Sequence, residues 1–233
     1  MRRSNIRLLE LTINIGSENE LSESKKGIIF AMGAYLIWGF LPIYWKQIEE
    51  ISSYEIIAHR VLWSFVFMIL FIVFIGKWRY FKEDLKFIFS NKKKVIALFL
   101  ASAVITSNWL VFIIAVQAGH ILDASLGYYI NPLISILLGL IILGERFSKV
   151  GWAAIVIVTV GVVYMIAGLG SAPWISFYLA VSFSLYGLIK KTINLDAVYA
   201  MAVETFVLAP FALMYIIYVQ ATGAGTYGVN TES

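Results

Sequence analysis

The sequence contains no cysteine and little charge. Without Cys, neither a disulfide nor a thiolate metal site can form. Charged residues make up 14% of the 233 residues, well below the roughly 25% of soluble domains, and 61% are hydrophobic. A soluble chain of this length could not bury so many apolar side chains in its core. The composition therefore indicates a membrane protein.

Patterns that would indicate catalysis or nucleotide binding are also missing. His59 and His120 have no second ligand at helical spacing, so we expect no metal centre and no bound cofactor. The absence of a nucleophile–base arrangement and of a Walker-type phosphate loop argues against an enzyme and an ATP-driven pump. The basic residues cluster beside an apolar run, as topology determinants do, so we expect no nucleic-acid partner.

Seven long apolar segments dominate the chain. Most approach the ~20 residues that a helix needs to cross ~30 Å of hydrocarbon. They are continuous rather than alternating, which favours helices over the strands of a barrel. The sequence thus predicts an all-α, polytopic membrane protein with about seven transmembrane helices. The segments are 27–45, 55–76, 95–116, 121–143, 150–168, 173–189 and 197–219.

Basic residues are distributed unevenly between the two ends of these segments. If the helices alternate in direction, 16 of the 18 Lys and Arg residues lie on the amino-terminal side of the membrane. Lys46 lies on the other side, and Arg60 lies within the second helix. The positive-inside rule makes this side cytoplasmic, and seven helices then place the carboxyl terminus outside. Segment 1–26 lacks the apolar run of a signal peptide, so we interpret it as a cytoplasmic leader, and 220–233 as an external tail.

The stretch GYYINP, residues 127–132, interrupts the fourth segment with polar residues. Pro132 lacks a backbone N–H and predicts a bend near Tyr128. Asn131 lies ~15 Å into this helix, where freed backbone groups must face protein or a water-filled cavity. The stretch is therefore a candidate substrate pocket, with a packing kink in which Asn131 bonds a neighbouring helix as the alternative. Its candidate binding residues are Tyr128, Tyr129, Asn131 and Pro132.

Two ionisable residues, Arg60 and Glu204, lie inside predicted spans, where charge is costly. We expect Arg60 to pair with Asp123, which shares its depth, rather than with Glu204. Glu204 is either a protonatable group that couples transport to protons or a buried, hydrogen-bonded carboxylate. The remaining candidate substrate-binding residues are Trp38, Asn108 and Tyr186.

A weak internal repeat relates the first two helices to the sixth and seventh. Trp38-Gly39 aligns with Tyr186-Gly187, and Arg60 aligns with Glu204. Because the copies are five helices apart, an odd number, the second copy would be inverted in the membrane, as in many secondary transporters.

Three segments carry a more specific signal: AHRVLWS in the second helix, the run from SNWLVF to LGER across the third and fourth, and PWISFYLAVSFSLYGLIKK in the sixth. They resemble the RarD family, a branch of the EamA-type drug/metabolite transporter superfamily. The resemblance implies ten helices in two inverted five-helix repeats. Segment 27–168 would form the first repeat, and 173–219 the first two helices of an incomplete second.

The same resemblance implies a function and partners. It implies a secondary transporter of the inner membrane that exports a small metabolite or drug by alternating access, in a family named for chloramphenicol sensitivity. The implied partners are the lipid bilayer, a small-molecule substrate and, as open alternatives, a coupling proton and a second copy of the chain. Relative to the family pattern the chain stops after the seventh helix, so a truncated, non-transporting membrane remnant is the alternative.

The charge distribution yields a testable topology. Alkaline phosphatase fused after Ser233 should be active, because that reporter folds only outside the cytoplasm and the rule places this end there. Reporter activity in intact cells measures this. Strong activity from a reporter that works only in the cytoplasm, fused at the same residue, would contradict the seven-helix topology.

Overall fold

A computed structural model describes residues 2–169, 173–193 and 195–226, with side chains described within 25–168, 173–193 and 195–226. Every regular element in these residues is an α-helix, which confirms the predicted all-α class. The helices are α1 (Arg2–Gln47), α2 (Ser53–Phe74), α3 (Trp78–Phe89), α4 (Lys92–Gln117), α5 (Ile121–Ile142), α6 (Lys149–Leu169), α7 (Trp174–Ile193) and α8 (Ala197–Ala221).

The chain divides into two compact units, Met1–Gln47 and Ile48–Ser233. The first unit consists of α1, whose part Lys25–Gln47 is long and apolar enough to cross a membrane. The helical backbone of α1 begins at Arg2 and so includes most of the predicted leader. The cytoplasmic location of that leader stays a prediction.

Six helices of the described residues are long and apolar enough to span a membrane, namely α1, α2, α4, α5, α6 and α8. In the second unit their bounds agree with the predicted segments to within one helical turn. The expected polytopic architecture is therefore confirmed. Of the predicted tail 220–233, α8 takes in Gln220 and Ala221, and 227–233 lie outside the described residues.

The remaining predicted span, α7, is less apolar because it carries several serines and two terminal lysines. It nevertheless lies parallel to α5. Ser176 donates to the carbonyl of Asp123 at 2.6 Å near one end, and Lys191 donates to Glu145 at 3.2 Å near the other. Ser176 and Lys191 are ~22 Å apart along an α-helix. Thus α7 accompanies α5 across most of the thickness of a hydrocarbon layer.

The other main contacts are antiparallel. The buried carboxylate of Glu55, at the start of α2, accepts from the backbone N–H of Thr226, beyond the end of α8, at 2.9 Å. Lys94, at the start of α4, donates to the carbonyl of Ile193, at the end of α7, at 3.3 Å. These directions are those of a chain that crosses the membrane once with each long helix.

A short helix, α3, joins α2 to α4 and was not predicted. Its Phe81 and Ile88 are buried in a cluster with side chains of α2, α4, α7 and α8, against which Leu85 also packs. Helices are identified in the sequence by continuous apolar runs, and segment 77–94 has none, because its apolar residues Phe81, Leu85 and Ile88 are spaced one turn apart. Their i, i+4, i+7 spacing is the amphipathic signal that indicates this helix.

Gly127 lies where α5 packs closely against α7. A Cβ atom placed there would lie 3.1 Å from both the carbonyl oxygen of Ser176 and the Cβ of Leu179. The first of these is backbone and cannot rotate away. A side chain at residue 127 would therefore have to push α7 aside by a few tenths of an ångström, and glycine avoids this, as small residues do at many helix contacts in membranes.

A larger side chain at this crossing should separate the two helices. We expect Gly127→Leu to lower the free energy of unfolding by about 1–3 kcal/mol through overpacking. Gly161→Leu is the control, because a Cβ at Gly161 in α6 would have no neighbour within 4 Å. Thermal unfolding of the purified variants in detergent measures the difference. Equal stability of the two variants would contradict the close crossing.

Candidate functional site

Arg60, Trp109 and Tyr128 form a cluster contributed by α2, α4 and α5, which we call the Arg60 cluster. The Arg60 guanidinium carbon lies over the ring of Trp109, 4.1 Å from the ring centroid. Tyr128 lies near the Arg60 guanidinium. Phe112, one turn from Trp109, meets the Tyr128 ring edge-on with centroids 5.9 Å apart. A cation over a tryptophan face is the most favourable cation–π pairing.

The three members of the Arg60 cluster lie at one depth. The ends of α2 and α4 meet where Gln117 donates to the carbonyl of Ile51 at 3.0 Å. From that end of the bundle, each member is ~10–12 Å along its own helix. Tyr128 is 50% exposed. The cluster therefore combines a cation with accessible aromatic surface inside the apolar part of the spans.

The expected ion pair between Arg60 and Asp123 stays a prediction. Asp123 Oδ2 lies 3.1 Å from the Nδ1 atom of His120. Glu55, also at this end of the bundle, accepts hydrogen bonds from Thr226.

Two asparagines hold α7 from two different helices. Asn108 of α4 donates to the carbonyl of Leu179 at 2.9 Å and to Ser182 Oγ at 2.8 Å. Asn131 of α5 donates to the carbonyl of the next residue, Ala180, at 3.3 Å and to Ser184 Oγ at 3.0 Å. Each amide thus takes one backbone carbonyl and one hydroxyl of the same helix.

A cavity of about 210 Å³ opens beside Asn131, between α5 and α7. One wall is polar, because Ser135 and Ser184 lie there with their hydroxyl oxygens 3.0 Å apart. Lys191, paired with Glu145, lies at the end nearer α3. A concave site with a few convergent polar groups among apolar ones is typical of a small-molecule pocket. The apolar lining comes from Leu138, Leu143, Phe183 and Leu188.

Glu204 and Tyr186 meet at the opposite depth from the Arg60 cluster. The Tyr186 hydroxyl donates to Glu204 Oε2 at 3.0 Å, and Lys190 donates to that hydroxyl at 2.9 Å. The Lys190 ammonium also lies 3.2 Å from Glu204 Oε1. Glu204 is buried, so the charge of its carboxylate is balanced locally by Lys190. Sequence reasoning missed Lys190, although it stands one helical turn after Tyr186.

Three further candidate residues, Tyr129, Pro132 and Trp38, remain. Tyr129 is 57% exposed. Pro132 lies inside α5, which is continuous from Ile121 to Ile142, so the helix does not open there and its bend stays a prediction. Trp38 belongs to the first unit, where its ring meets that of Tyr35 edge-on at 5.7 Å.

The described side chains include no group of three or more His, Asp and Glu residues that could hold a metal ion. The polar groups inside the described spans are instead arginine, lysine, histidine, asparagine, hydroxyl and single carboxylate side chains. Such groups can hydrogen-bond or pair with an organic molecule or exchange a proton.

Comparison with known proteins identifies relatives. The EamA-like transporter family matches residues 25–167. The chain is 41% identical over 210 residues to the uncharacterized transporter YojE of Bacillus subtilis, covering 89% of this chain and 70% of that one. It is 39% identical over 214 residues to protein RarD of Escherichia coli, covering 92% and 71% respectively.

A more distant relative is the chloramphenicol-sensitive protein RarD of Pseudomonas aeruginosa, at 27% identity over 190 residues. This match covers 82% of the present chain and 64% of the relative. No solved structure matches the chain. The family match and the helices together show a multi-pass membrane protein whose partners are the lipid bilayer and a small-molecule substrate. The chain belongs to the EamA-like transporter family, in its RarD branch, and is a membrane transporter.

Proposed function

We propose that the protein is a secondary transporter of the bacterial inner membrane that exports a small amphipathic metabolite or drug by alternating access. The amino terminus is cytoplasmic, and the end of the bundle nearest α3 faces the cytoplasm. The observation that carries the proposal is the Arg60 cluster. A cation at that depth costs free energy, and such residues inside membrane spans mark functional sites.

The chemistry of the Arg60 cluster indicates the kind of molecule it would bind. A guanidinium offers a planar set of donors to a carboxylate, nitro or carbonyl group. Trp109 and Tyr128 offer ring faces on which an aromatic or apolar part can stack. The name of the Pseudomonas relative associates it with chloramphenicol, which combines an aromatic ring with several acceptors. We therefore take chloramphenicol as the first probe.

The cavity between α5 and α7 is the second part of the proposed path. It lies nearer the cytoplasmic end than the Arg60 cluster and carries the side chain of Asn131 on its wall. In this proposal 27–168 form the first repeat of the carrier and 173–219 belong to the second. Alternating access would then alter the contacts of α7 with α4 and α5 and those of α8 with α2, since all of these lie between the two repeats.

We further propose that Glu204 carries a coupling proton. Its carboxylate is buried and contacts both Lys190 and Tyr186, so protonation would remove the attraction that holds Lys190. Chloramphenicol efflux that continues unchanged when the pH gradient is collapsed would exclude this. Assembly into a homodimer stays a prediction.

Loss of the guanidinium should weaken export. We expect Arg60→Gln to lower the rate of chloramphenicol efflux by about tenfold or more, since a hydrogen bond to a charged group contributes roughly 1.5–3 kcal/mol. Efflux of the radiolabelled compound from preloaded cells measures this. Arg79→Gln is the control, because the Arg79 side chain on α3 is 86% exposed.

Two outcomes would contradict this prediction. Normal efflux by a correctly inserted Arg60→Gln variant would remove the Arg60 cluster from the substrate path. Absence of efflux and of probe binding in the unmodified chain would favour the non-transporting remnant.

The two asparagines allow the pocket role of Asn131 to be separated from its packing role. Asn108 makes the same two kinds of bond to α7 but does not line the cavity. We expect Asn131→Leu and Asn108→Leu each to lower stability by about 1–2 kcal/mol, and only Asn131→Leu to raise the KM for efflux. Thermal unfolding and concentration-dependent efflux measure the two effects. Equal KM values would leave Asn131 with the packing role alone.

A further inference from the structure

The exposed side of α3 carries two aromatic and two cationic side chains in one row. The row consists of Trp78, Lys82, Lys86 and Phe89 at the spacing of successive helical turns. It lies beside the buried Phe81 and Ile88 and the partly buried Leu85. Residues four apart on a helix have Cβ atoms ~6 Å apart. The two ammonium groups can therefore approach a single phosphate, with one ring at each end of the row.

The charges of this row are not balanced by the protein. In the described part of the chain, neither Lys82 nor Lys86 lies in an ion pair. Glu83, the carboxylate between them in sequence, pairs with Arg79 at 3.1 Å. With Asp84, the other acidic residue of α3, the helix carries two carboxylates against the three cations Arg79, Lys82 and Lys86. The acidic side chains of α3 thus leave the row cationic.

The start of α4 adds further positive charge. Lys92 and Lys93 are exposed in its first turn, which contains no acidic residue. Cations at this end of a helix oppose the helix dipole, so they do not stabilise α4. Their neighbour Lys94 is already engaged, with its ammonium over the ring of Phe87 at 3.9 Å. Two more cations are therefore available next to the row on α3.

The location of α3 indicates which kind of ligand the row would bind. It connects two membrane-spanning helices, so it lies at the membrane surface, and its exposed aromatic residues are of the kind found at that interface. An amphipathic helix with cations among aromatic residues is typical of a segment that lies in the head-group region. Clustered cations beside a membrane span attract anionic phospholipid.

We propose that α3 binds the phosphate of an anionic phospholipid between Lys82 and Lys86, with Trp78 and Phe89 packed against the lipid and with Lys92 and Lys93 adding attraction. The site is separate from the Arg60 cluster and from the α5–α7 cavity. The proposal does not depend on which substrate is transported, or on whether one is.

Binding can be measured on the purified full chain in detergent. We expect phosphatidylglycerol to raise the thermal unfolding midpoint in a saturable way and phosphatidylcholine to have a much smaller effect. The double variant Lys82→Gln/Lys86→Gln should weaken the apparent affinity for phosphatidylglycerol by about thirtyfold, since each cation near an anionic surface contributes a factor of about five. Raising the salt concentration should weaken it as well.

The control removes the same charge from the same end of the bundle. Arg146→Gln/Lys149→Gln changes two exposed cations at the start of α6, away from α3, and should retain the affinity of the unmodified chain. Equal loss in both double variants would show a general charge effect and overturn the site. Equal stabilisation by the two lipids, or by glycerol phosphate alone, would overturn the lipid as ligand.

If Lys82→Gln/Lys86→Gln does not fold, Lys82→Arg/Lys86→Arg should fold and keep the preference for phosphatidylglycerol. Loss of that preference would contradict the proposal.

Discussion

A hydrocarbon environment leaves no water to satisfy polar groups, and two asparagine amides meet this constraint for the bundle. Asn108 and Asn131 reach α7 from different helices and donate to the consecutive carbonyls of Leu179 and Ala180. A single bond of this kind contributes only about 0.6 kcal/mol on average. Its main effect is on register, because a shift of α7 by one residue would leave both amides without their carbonyls. The register in turn sets where Tyr186 and Lys190 meet Glu204.

The ionisable side chains inside the bundle are separated by depth. Arg60 lies ~10 Å from one end, and Glu204 lies at a similar distance from the other. Each has its own partner, an aromatic ring for Arg60 and an ammonium for Glu204. Sequence alignment of the two short repeats pairs these residues, and an inverted repeat requires this separation. In a transporter with two such groups, a substrate or proton that enters from one side of the membrane would reach only the group nearer that side.

The sequence predicted the long helices well because each is a continuous apolar run, a signal that needs no knowledge of tertiary contacts. It missed α3, whose apolar residues are spaced by turns and whose partners come from four other helices. Asn131 could be predicted to face protein, because an amide does not face lipid. The sequence could not predict that Ser182 and Ser184 are the partners of Asn108 and Asn131, because this depends on how α7 is rotated about its axis. Likewise, the position of the Trp109 ring against Arg60 could not be predicted, because nothing in the sequence links two residues so distant in the chain.

The serines of α7 have a consequence for biosynthesis. On its own, α7 is a poor candidate for partition into lipid, since hydroxyl groups and two terminal lysines reduce its apolar character. The helices that satisfy its polar groups, α4 and α5, both precede it in the chain. During synthesis they leave the ribosome first and can already be in the bilayer when α7 emerges. The insertion of α7 into the bilayer would then depend on contacts with α4 and α5. A mutation that disrupts either of those helices would therefore prevent α7 from inserting.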